Sequence, residues 1–497
     1  MSPEYPVLYL ARLVLETTTP LSISSGNREA AFDTLLVRDA NDLPTIPGSS
    51  LAGVLRSLYA QQAAPWDVNC VFGFAEGDTG RPSRVQVSWG AIHDANDCPV
   101  EGLLLGDAMN RLNHDPVLAS ATATSPVLRD HVRMHHRGAG DHQGKFDRTA
   151  LHRGHRFSVE LSFWSSGGSD QQDDPDSKTW ATILELLSHP GFRLGGRTRS
   201  GLGAVKLVRC HQTRFDLRKS GDYARYASLT TSLADTAGMQ AFEPSPASPS
   251  LRCDLSLKPE EGWRFGQGNQ SISEDADDTA SAKSPNLLPV TEASVRWDKT
   301  PAYLEDQPRV LVPASGIKGA LAHRLAFHHD CITENWATEQ RCELDPQGDK
   351  APPTHPAVAQ LFGHAKTKES KDQTEEQKDR GRAGWVYLDD AYLDQPLDSR
   401  RGVQRQWHNG IDRFTGGVRK HVLYGEELIW RNTLQLTLRI DPRGHDLDAN
   451  TKEALRRTLE DLTSGQLAIG GGSGKGHGYC QGTVKWSDNG AWIGAAS

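Results

Sequence analysis

The chain is poor in sulphur, with seven cysteines and four methionines in 497 residues. Cys70, Cys98, Cys210, Cys253, Cys331, Cys342 and Cys480 are odd in number, and no two of them are spaced Cys-x-x-Cys. That argues against a disulfide framework and fits thiols in a reducing compartment. No stretch approaches the ~18–20 unbroken apolar residues of a membrane span. The most apolar segment near the start, Val7 to Leu15, carries Arg12 and reads as a strand. Met1-Ser2-Pro3-Glu4 lacks the basic start of a secretory signal. The expectation is a cytoplasmic protein without membrane contact. A surplus of positive charge is missing too: 55 Lys+Arg face 63 Asp+Glu, a net charge of −8. Averaged over the surface, that disfavours phosphate contacts.

The average hides segregation. Arg129, Arg133, Arg137, Lys145, Arg148, Arg153 and Arg156 fall in one run. Arg193, Arg197, Arg199, Lys206 and Arg209 form a second, and Arg400, Arg401, Arg405, Arg413, Arg419 and Lys420 a third. The acids collect in polar stretches at 165–178, 271–283 and 339–380, which read as exposed insertions.

The two halves repeat one pattern. Ile46-Pro47-Gly48-Ser49-Ser50-Leu51-Ala52-Gly53 matches Val312-Pro313-Ala314-Ser315-Gly316-Ile317-Lys318-Gly319. Val71-Phe72-Gly73 then matches Leu361-Phe362-Gly363. Each half closes on a glycine-rich turn, Gly195-Gly196-Arg197-Thr198-Arg199-Ser200-Gly201-Leu202-Gly203 and Gly470-Gly471-Gly472-Ser473-Gly474-Lys475-Gly476-His477-Gly478. The reading is two copies of one domain, 1–240 and 250–497, joined where Pro244, Pro246 and Pro249 cluster with serines.

Strands are predicted where apolar and polar residues alternate, as in Leu251 to Lys258, Phe157 to Phe163 and Leu434 to Ile440. Helices are predicted after each Pro-small-Ser element, with a serine as cap, and over Trp180–Leu187 and Lys452–Leu462. The order per copy is strand, helix, strand, strand, helix, strand. The fold class is therefore α+β, two tandem ferredoxin-like (RRM-like, βαββαβ) domains with long loops and insertions.

Glycine turns that carry Arg197, Arg199 and Lys475 can bring backbone N–H groups to phosphates, or can simply mark tight turns where φ is positive. They follow a helix and open a strand, which is the wrong context for a dinucleotide fingerprint. His323, His328, His329, Cys331, Cys342 and His355 form a loose Cys/His stretch. Structural zinc there is the lesser expectation beside ordinary histidines and thiols.

Thr19-Pro20-Leu21-Ser22-Ile23-Ser24-Ser25-Gly26 and Phe32-Asp33-Thr34-Leu35-Leu36-Val37-Arg38-Asp39, followed by the elements above, resemble the RAMP superfamily of CRISPR-associated proteins. The resemblance is to Csm/Cmr-type backbone subunits of type III effector complexes. It runs over nearly the whole chain, with Ala52 where the pattern has Lys and Val71 where it has Leu. Two such domains in one chain resemble the fused double-backbone subunits of type III-D-like systems.

The resemblance implies a subunit that binds CRISPR guide RNA and kinks the guide–target duplex with a thumb hairpin. It also implies metal-dependent (Mg²⁺ or Mn²⁺) cleavage of complementary target RNA, in which a ribose 2′-OH attacks the adjacent phosphate. Partners implied are the large polymerase-cyclase subunit and further backbone and cap subunits. A non-catalytic structural subunit and a guide-processing ribonuclease are the alternatives.

Asp33 falls on the implied catalytic, metal-holding position. In the second copy, aligning Arg296 with Arg38 brings Thr291 to that position with Glu292 beside it, so Glu292 is the weaker catalytic candidate. The expected RNA-binding set begins with Ser49, Ser50 and Arg56 at the first Pro-Gly-Ser-Ser element, and Arg133 and Arg137 in the thumb. It continues with Gly195, Gly196, Arg197 and Arg199, and in the second copy Lys318, Arg413, Gly471, Gly472 and Lys475. The histidines of the thumb, His131, His135 and His136, are candidate general bases only if the chain processes guides. Replacing His135 and His136 together with Ala is expected to leave guide length unchanged. Sizing the RNA that copurifies with the variant checks this, and longer precursor would favour the processing alternative.

Overall fold

The computed structural model describes residues 4–26, 33–124, 126–134, 140–168, 174–245, 251–266, 268–272, 285–335, 354–364, 381–393, 402–442 and 445–494. Arg137, His135, His136, Cys342, Arg400 and Arg401 lie outside them, as do most of the acidic stretches.

Each repeat is built on one antiparallel sheet. In the first, β1 (Val7–Thr17), β2 (Val85–Val87), β5 (Arg156–Ser165), β6 (Val205–Asp216) and β7 (Gln240–Ala241) run in the order β7-β6-β1-β5-β2. Between β2 and β5 in the chain, β3 (Val127–Met134) and β4 (Gly140–Ala150) form a separate hairpin. In the second repeat, β8 (Leu251–Pro259), β9 (Val386–Leu388), β12 (Leu434–Ile440) and β13 (Cys480–Trp486) run β9-β12-β8-β13. The corresponding hairpin there is β10 (Val403–Ile411) with β11 (Val418–Trp430). The two sheets place corresponding strands in the same order. The pairing of Gln240–Ala241 with β6 carries the first repeat one residue past the predicted boundary.

The central strands differ because their sequences do. β1 is apolar at nearly every position and is buried along its whole length. On its second face Leu8 and Leu10 pack with Phe215, Tyr226, Leu229 and Met239. β8 alternates, and its Arg252 and Lys258 stay exposed.

Helices cover the remaining faces. α1 (Gly48–Tyr59) turns Leu51, Leu55 and Leu58 inward at helical spacing. α4 (Ala314–Ile332) does the same with Ile317, Leu321 and Leu325. Between them in the chain lie α2 (Pro65–Phe72) and α3 (Ser177–Glu185), followed by α5 (Pro356–Phe362) and α6 (Ala449–Thr463). The expected serine caps are not made. α1 and α4 start directly after Pro47 and Pro313, with no side-chain cap bond. Proline suits this boundary, since it holds the preceding chain extended.

The repeats meet through buried charge. Arg129, on β3, grips Glu292 with a two-point fork, Nε to Oε1 at 2.6 Å and Nη2 to Oε2 at 2.7 Å. Its Nη1 reaches Asp390 Oδ2 at 2.5 Å, and Asp390 Oδ1 accepts from the Ala314 amide that begins α4. Tyr392 donates its hydroxyl to Glu292 at 2.8 Å. Burial pushes Asp390 up to about 6, with Glu292 adding to the rise and Arg129 opposing it. Arg129 stays charged, since Asp390 and Glu292 outweigh the burial that acts against it.

Removing one partner of a buried pair strands the others, a loss of about 3–5 kcal/mol. Arg129→Ala is expected to lower unfolding stability by that order, read from urea or thermal unfolding against the parent.

Candidate nucleic-acid interface and cleavage site

The two glycine turns have the same backbone geometry. The Gly196 amide donates to Ser22 O at 2.8 Å and the Gly471 amide to Arg264 O at 2.8 Å. Leu194 and Gly203 are bonded N to O at 2.9 Å, as are Ile469 and Gly478. Gly195 and Gly470 have φ of +80° and +83°, and an added Cβ would lie 2.3 Å from Ser22 O and 2.5 Å from Arg264 O. These glycines permit close backbone packing. The expectation that Gly196 and Gly471 offer their amides to phosphate is therefore corrected, because both amides are engaged within the chain. Gly472, at φ +83°, packs against His477 in the same turn.

The basic side chains of the turns fare differently. Arg197 lies over the Phe146 ring at 4.6 Å, and that ring stacks on His131 with centroids 5.0 Å apart. Arg199 donates to Gly384 O at 2.6 Å and to the Tyr387 hydroxyl at 2.7 Å. Lys318 donates to Phe362 O at 2.9 Å. Together with Arg382 and His364 they line a cleft of about 340 Å³ between the repeats, and none of its lining residues is acidic. Burial first, then Arg197 and Arg199, bring the Lys318 ammonium down to about 8. A larger cavity of about 1070 Å³ lies elsewhere, between β1, β5 and residues 226–233, and holds none of the sequence-predicted site residues.

Lys475 ends otherwise. It pairs with the buried Glu426 at 3.1 Å, and His477 faces the same carboxylate at 3.2 Å. Arg56 ties α1 to α2, reaching Gly73 O at 2.5 Å and Asn69 Oδ1 at 2.9 Å. Ser49 is exposed and Ser50 half-buried in the first turn of α1. Arg133 is exposed near the outer end of β3. Arg413 stands at the tip of the second hairpin, over the ring of Phe414, which is 84% exposed. The basic runs are thus only partly available as a surface. Arg129 is buried, Arg156 and Lys206 pair with Glu16, Arg209 pairs with Asp97, and Arg193 pairs with Asp389. Sequence runs conceal such pairs because the acids come from other parts of the chain.

Asp33 is exposed at the foot of the first hairpin. Its amide donates to Asp147 Oδ1 at 2.9 Å, and its Oδ2 accepts from the Asp147 amide at 3.1 Å. Strand alternation turns Phe146 and Arg148 toward the glycine turn and Asp147 the other way, toward Asp33. Sequence reasoning missed Asp147, which sits within a basic run with nothing local to single it out.

Glu292 does not occupy the corresponding place. The Val37 amide donates to Ile23 O at 2.9 Å, and the Val290 amide to Phe265 O at 3.1 Å. Val37 O then accepts from Thr45 at 3.2 Å, and Val290 O from Leu311 at 2.9 Å. Ser25 bonds Leu35 O at 3.0 Å as Gly268 bonds Leu288 O at 2.8 Å. This ladder aligns Val37 with Val290, hence Asp33 with Asn286 and Asp39 with Glu292. The register drawn through Arg38 and Arg296 fails because residues 293–308 insert a longer loop before α4. Glu292 is 8% exposed, with its oxygens held by Arg129 and Tyr392.

The Cys/His stretch brings only His329, Asp330 and His355 together among the described residues. His355 Nδ1 accepts from the Ala357 amide at the start of α5, which leaves its Nε2 to face Asp330 at 3.1 Å. In that arrangement His355 caps the start of α5.

The RAMP superfamily model matches residues 14–206 and again 265–481. The chain belongs to the RAMP superfamily. RAMP proteins form CRISPR complexes with RNA and other subunits, and the double match follows the repeat seen in both sequence and hydrogen bonding. Compared with curated proteins, the chain has no match. No described helix is long and apolar enough to cross a membrane.

The Lys318 ammonium is present below about 8 and lost above it. RNA affinity is therefore expected to weaken severalfold between pH 7 and pH 9 at constant salt. Lys318→Arg is expected to flatten that profile, since arginine keeps its charge. Fluorescence anisotropy with labelled RNA reads both.

Proposed function

We propose that this RAMP chain is a double backbone subunit of a type III, III-D-like CRISPR ribonucleoprotein, and that its first repeat cuts target RNA paired to the guide. The strand orders β6-β1-β5-β2 and β13-β8-β12-β9 support reading each repeat as a ferredoxin-like plan. The observation that carries the function is an exposed carboxylate, Asp33, gripped at the foot of a hairpin whose other face holds Phe146 against Arg197, a lining residue of the basic cleft.

The acid-free cleft suits phosphates of a guide strand, whose sequence the protein need not read. The hairpins expose apolar side chains, Leu128, Val132 and Met134 on one and Ile411, Phe414 and Val418 on the other. Such wedges can enter a base step and hold a kink.

Cleavage at a kink needs no outside nucleophile. The ribose 2′-oxygen bonds to the adjacent phosphorus, the bond from phosphorus to the 5′-oxygen breaks, the 2′ proton leaves, and the 5′-oxygen gains one. The products are a 2′,3′-cyclic phosphate and a 5′-hydroxyl. Asp33 can orient the 2′-hydroxyl and accept its proton. Asp33 Oδ1 and Asp147 Oδ2 have no protein partner among the described residues, and two carboxylate oxygens suit a hard cation such as Mg²⁺ or Mn²⁺. When bound there, the ion supplies charge stabilisation at the phosphate.

Guide processing fits less well. Burial, with Arg197, Arg129 and Arg148, lowers His131 to about 4, so it is a weak base packed on Phe146.

Asp33→Ala is expected to reduce one target cut by at least ~100-fold while guide and target binding stay near parental. A 2′-deoxy nucleotide at the scissile position is expected to block the same cut. If every cut persists at the parental rate, the chain is a scaffold and the structural alternative takes over.

A further inference from the structure

The ladder that aligns Asp33 with Asn286 also aligns what holds them. Thr34 bonds Thr149 through O and Oγ1, and Leu287 O accepts from Glu427 N at 2.9 Å. Two residues earlier on each hairpin, Asp147 therefore corresponds to Gly425. Asn286 donates its amide to Gly425 O at 2.8 Å, and its Oδ1 accepts from the Gly425 amide at 3.1 Å. Each residue is thus gripped twice at the foot of a hairpin, once by its backbone N–H and once by a side-chain oxygen. Between these two grips the source of one bond differs, the Asp147 carboxylate in the first repeat and the Gly425 carbonyl in the second. An added Cβ at Gly425 would lie 3.1 Å from the Trp407 ring and 3.2 Å from Pro285, so the glycine allows this close approach.

We propose that the second repeat holds a built but silent cleavage site, and that Asn286 is what silences it. The inference rests on the reading of Asp33 given above. A carboxamide has nearly the shape of a carboxylate and keeps the same oxygen for the Gly425 amide. It carries no charge and does not take up a proton from a 2′-hydroxyl near neutral pH. The backbone scaffold is present and the charge of Asp33 is missing. The second carboxylate, Asp147 in the first repeat, has no counterpart at Gly425, so a carboxylate at 286 would have to act without it. Asn286 is exposed, so a carboxylate there costs little desolvation. The Asn286→Asp variant would then perform the same balanced step as Asp33, with the 2′-oxygen joining phosphorus, the 5′-oxygen leaving, and one proton moving from the first to the second.

The test uses the assembled complex with its guide and an end-labelled target RNA. In the parent, Asp33→Ala should remove one cut, and Asn286→Ala should remove none. The Asn286→Asp variant should add one new cut at a fixed distance from the first, with target affinity within about twofold of the parent. A 2′-deoxy nucleotide at the new position should abolish it. The double variant Asp33→Ala, Asn286→Asp should show the new cut and lack the old one. An Asn286→Asp complex that binds guide and target normally yet makes no new cut would overturn the proposal. So would a parental cut that disappears with Asn286→Ala, because the site would not be silent. If Asp33→Ala leaves its cut intact, the reading of Asp33 fails by itself, and the presence or absence of the Asn286→Asp cut still decides this proposal.

Discussion

Much of this architecture depends on one buried arginine. Arg129 leaves the first repeat at the base of its hairpin and ends between two carboxylates of the second, Glu292 and Asp390. Two acids that close in a buried seam would repel each other, and the guanidinium makes their juxtaposition tolerable. Asp390 in turn accepts from the first amide of α4, where the helix dipole favours negative charge. The hairpin base of one repeat and the helix start of the other are therefore held by one ion cluster. α4 carries Lys318 to the edge of the seam, where Arg197 and Arg199 arrive from the first repeat's glycine turn. The basic cleft is a consequence of how the repeats mate, and neither repeat alone would form it.

The same mating explains why net charge was a poor guide. A chain of −8 spends many of its arginines on its own acids, pairing Arg156 with Glu16 and Arg193 with Asp389. What it leaves at the cleft is a small cluster without acids, where burial first, then Arg197 and Arg199, lowers Lys318. Local density, set by packing, decides where a phosphate is welcome. The second repeat lacks that density at its own turn, since Glu426 answers both Lys475 and His477. The residue matching Glu426 in the first repeat is Arg148, so the two turns share a backbone path and carry opposite neighbours.

Much of the fold was legible because it is periodic. Alternation marked β8 and β12, position before the glycine turn marked α6, and the paired Pro-small-Ser, Phe-Gly and glycine motifs fixed the repeat. Asp33 stood out as a candidate only through a resemblance in motif spacing, since nothing in a lone loop aspartate reveals Asp147 a hundred residues away. Glu292 was misread for a related reason. Its register depends on a loop whose length differs between the repeats, and sequence similarity at Val-Arg drew the alignment to the wrong rung. The ladder from Val37 and Val290 corrects it, because hydrogen bonds count residues from a shared strand and are indifferent to what is inserted beyond.

The glycine turns show how one motif can invite the wrong inference from the right observation. Their recurrence is real, and basic residues do accompany them. Yet the glycines are explained by carbonyls 2.3 and 2.5 Å from where a Cβ would sit, and their bonded amides are turned inward. What such a turn contributes is rigidity. With its backbone fixed against the Pro20–Ser22 segment, Arg197 projects onto Phe146 and Arg199 onto Tyr387. A guanidinium held flat over a ring has already lost much of its rotamer freedom, so less is lost when a phosphate arrives. On the proposed reading, the glycines would act on nucleic acid at one remove, by holding still the side chains that would touch it.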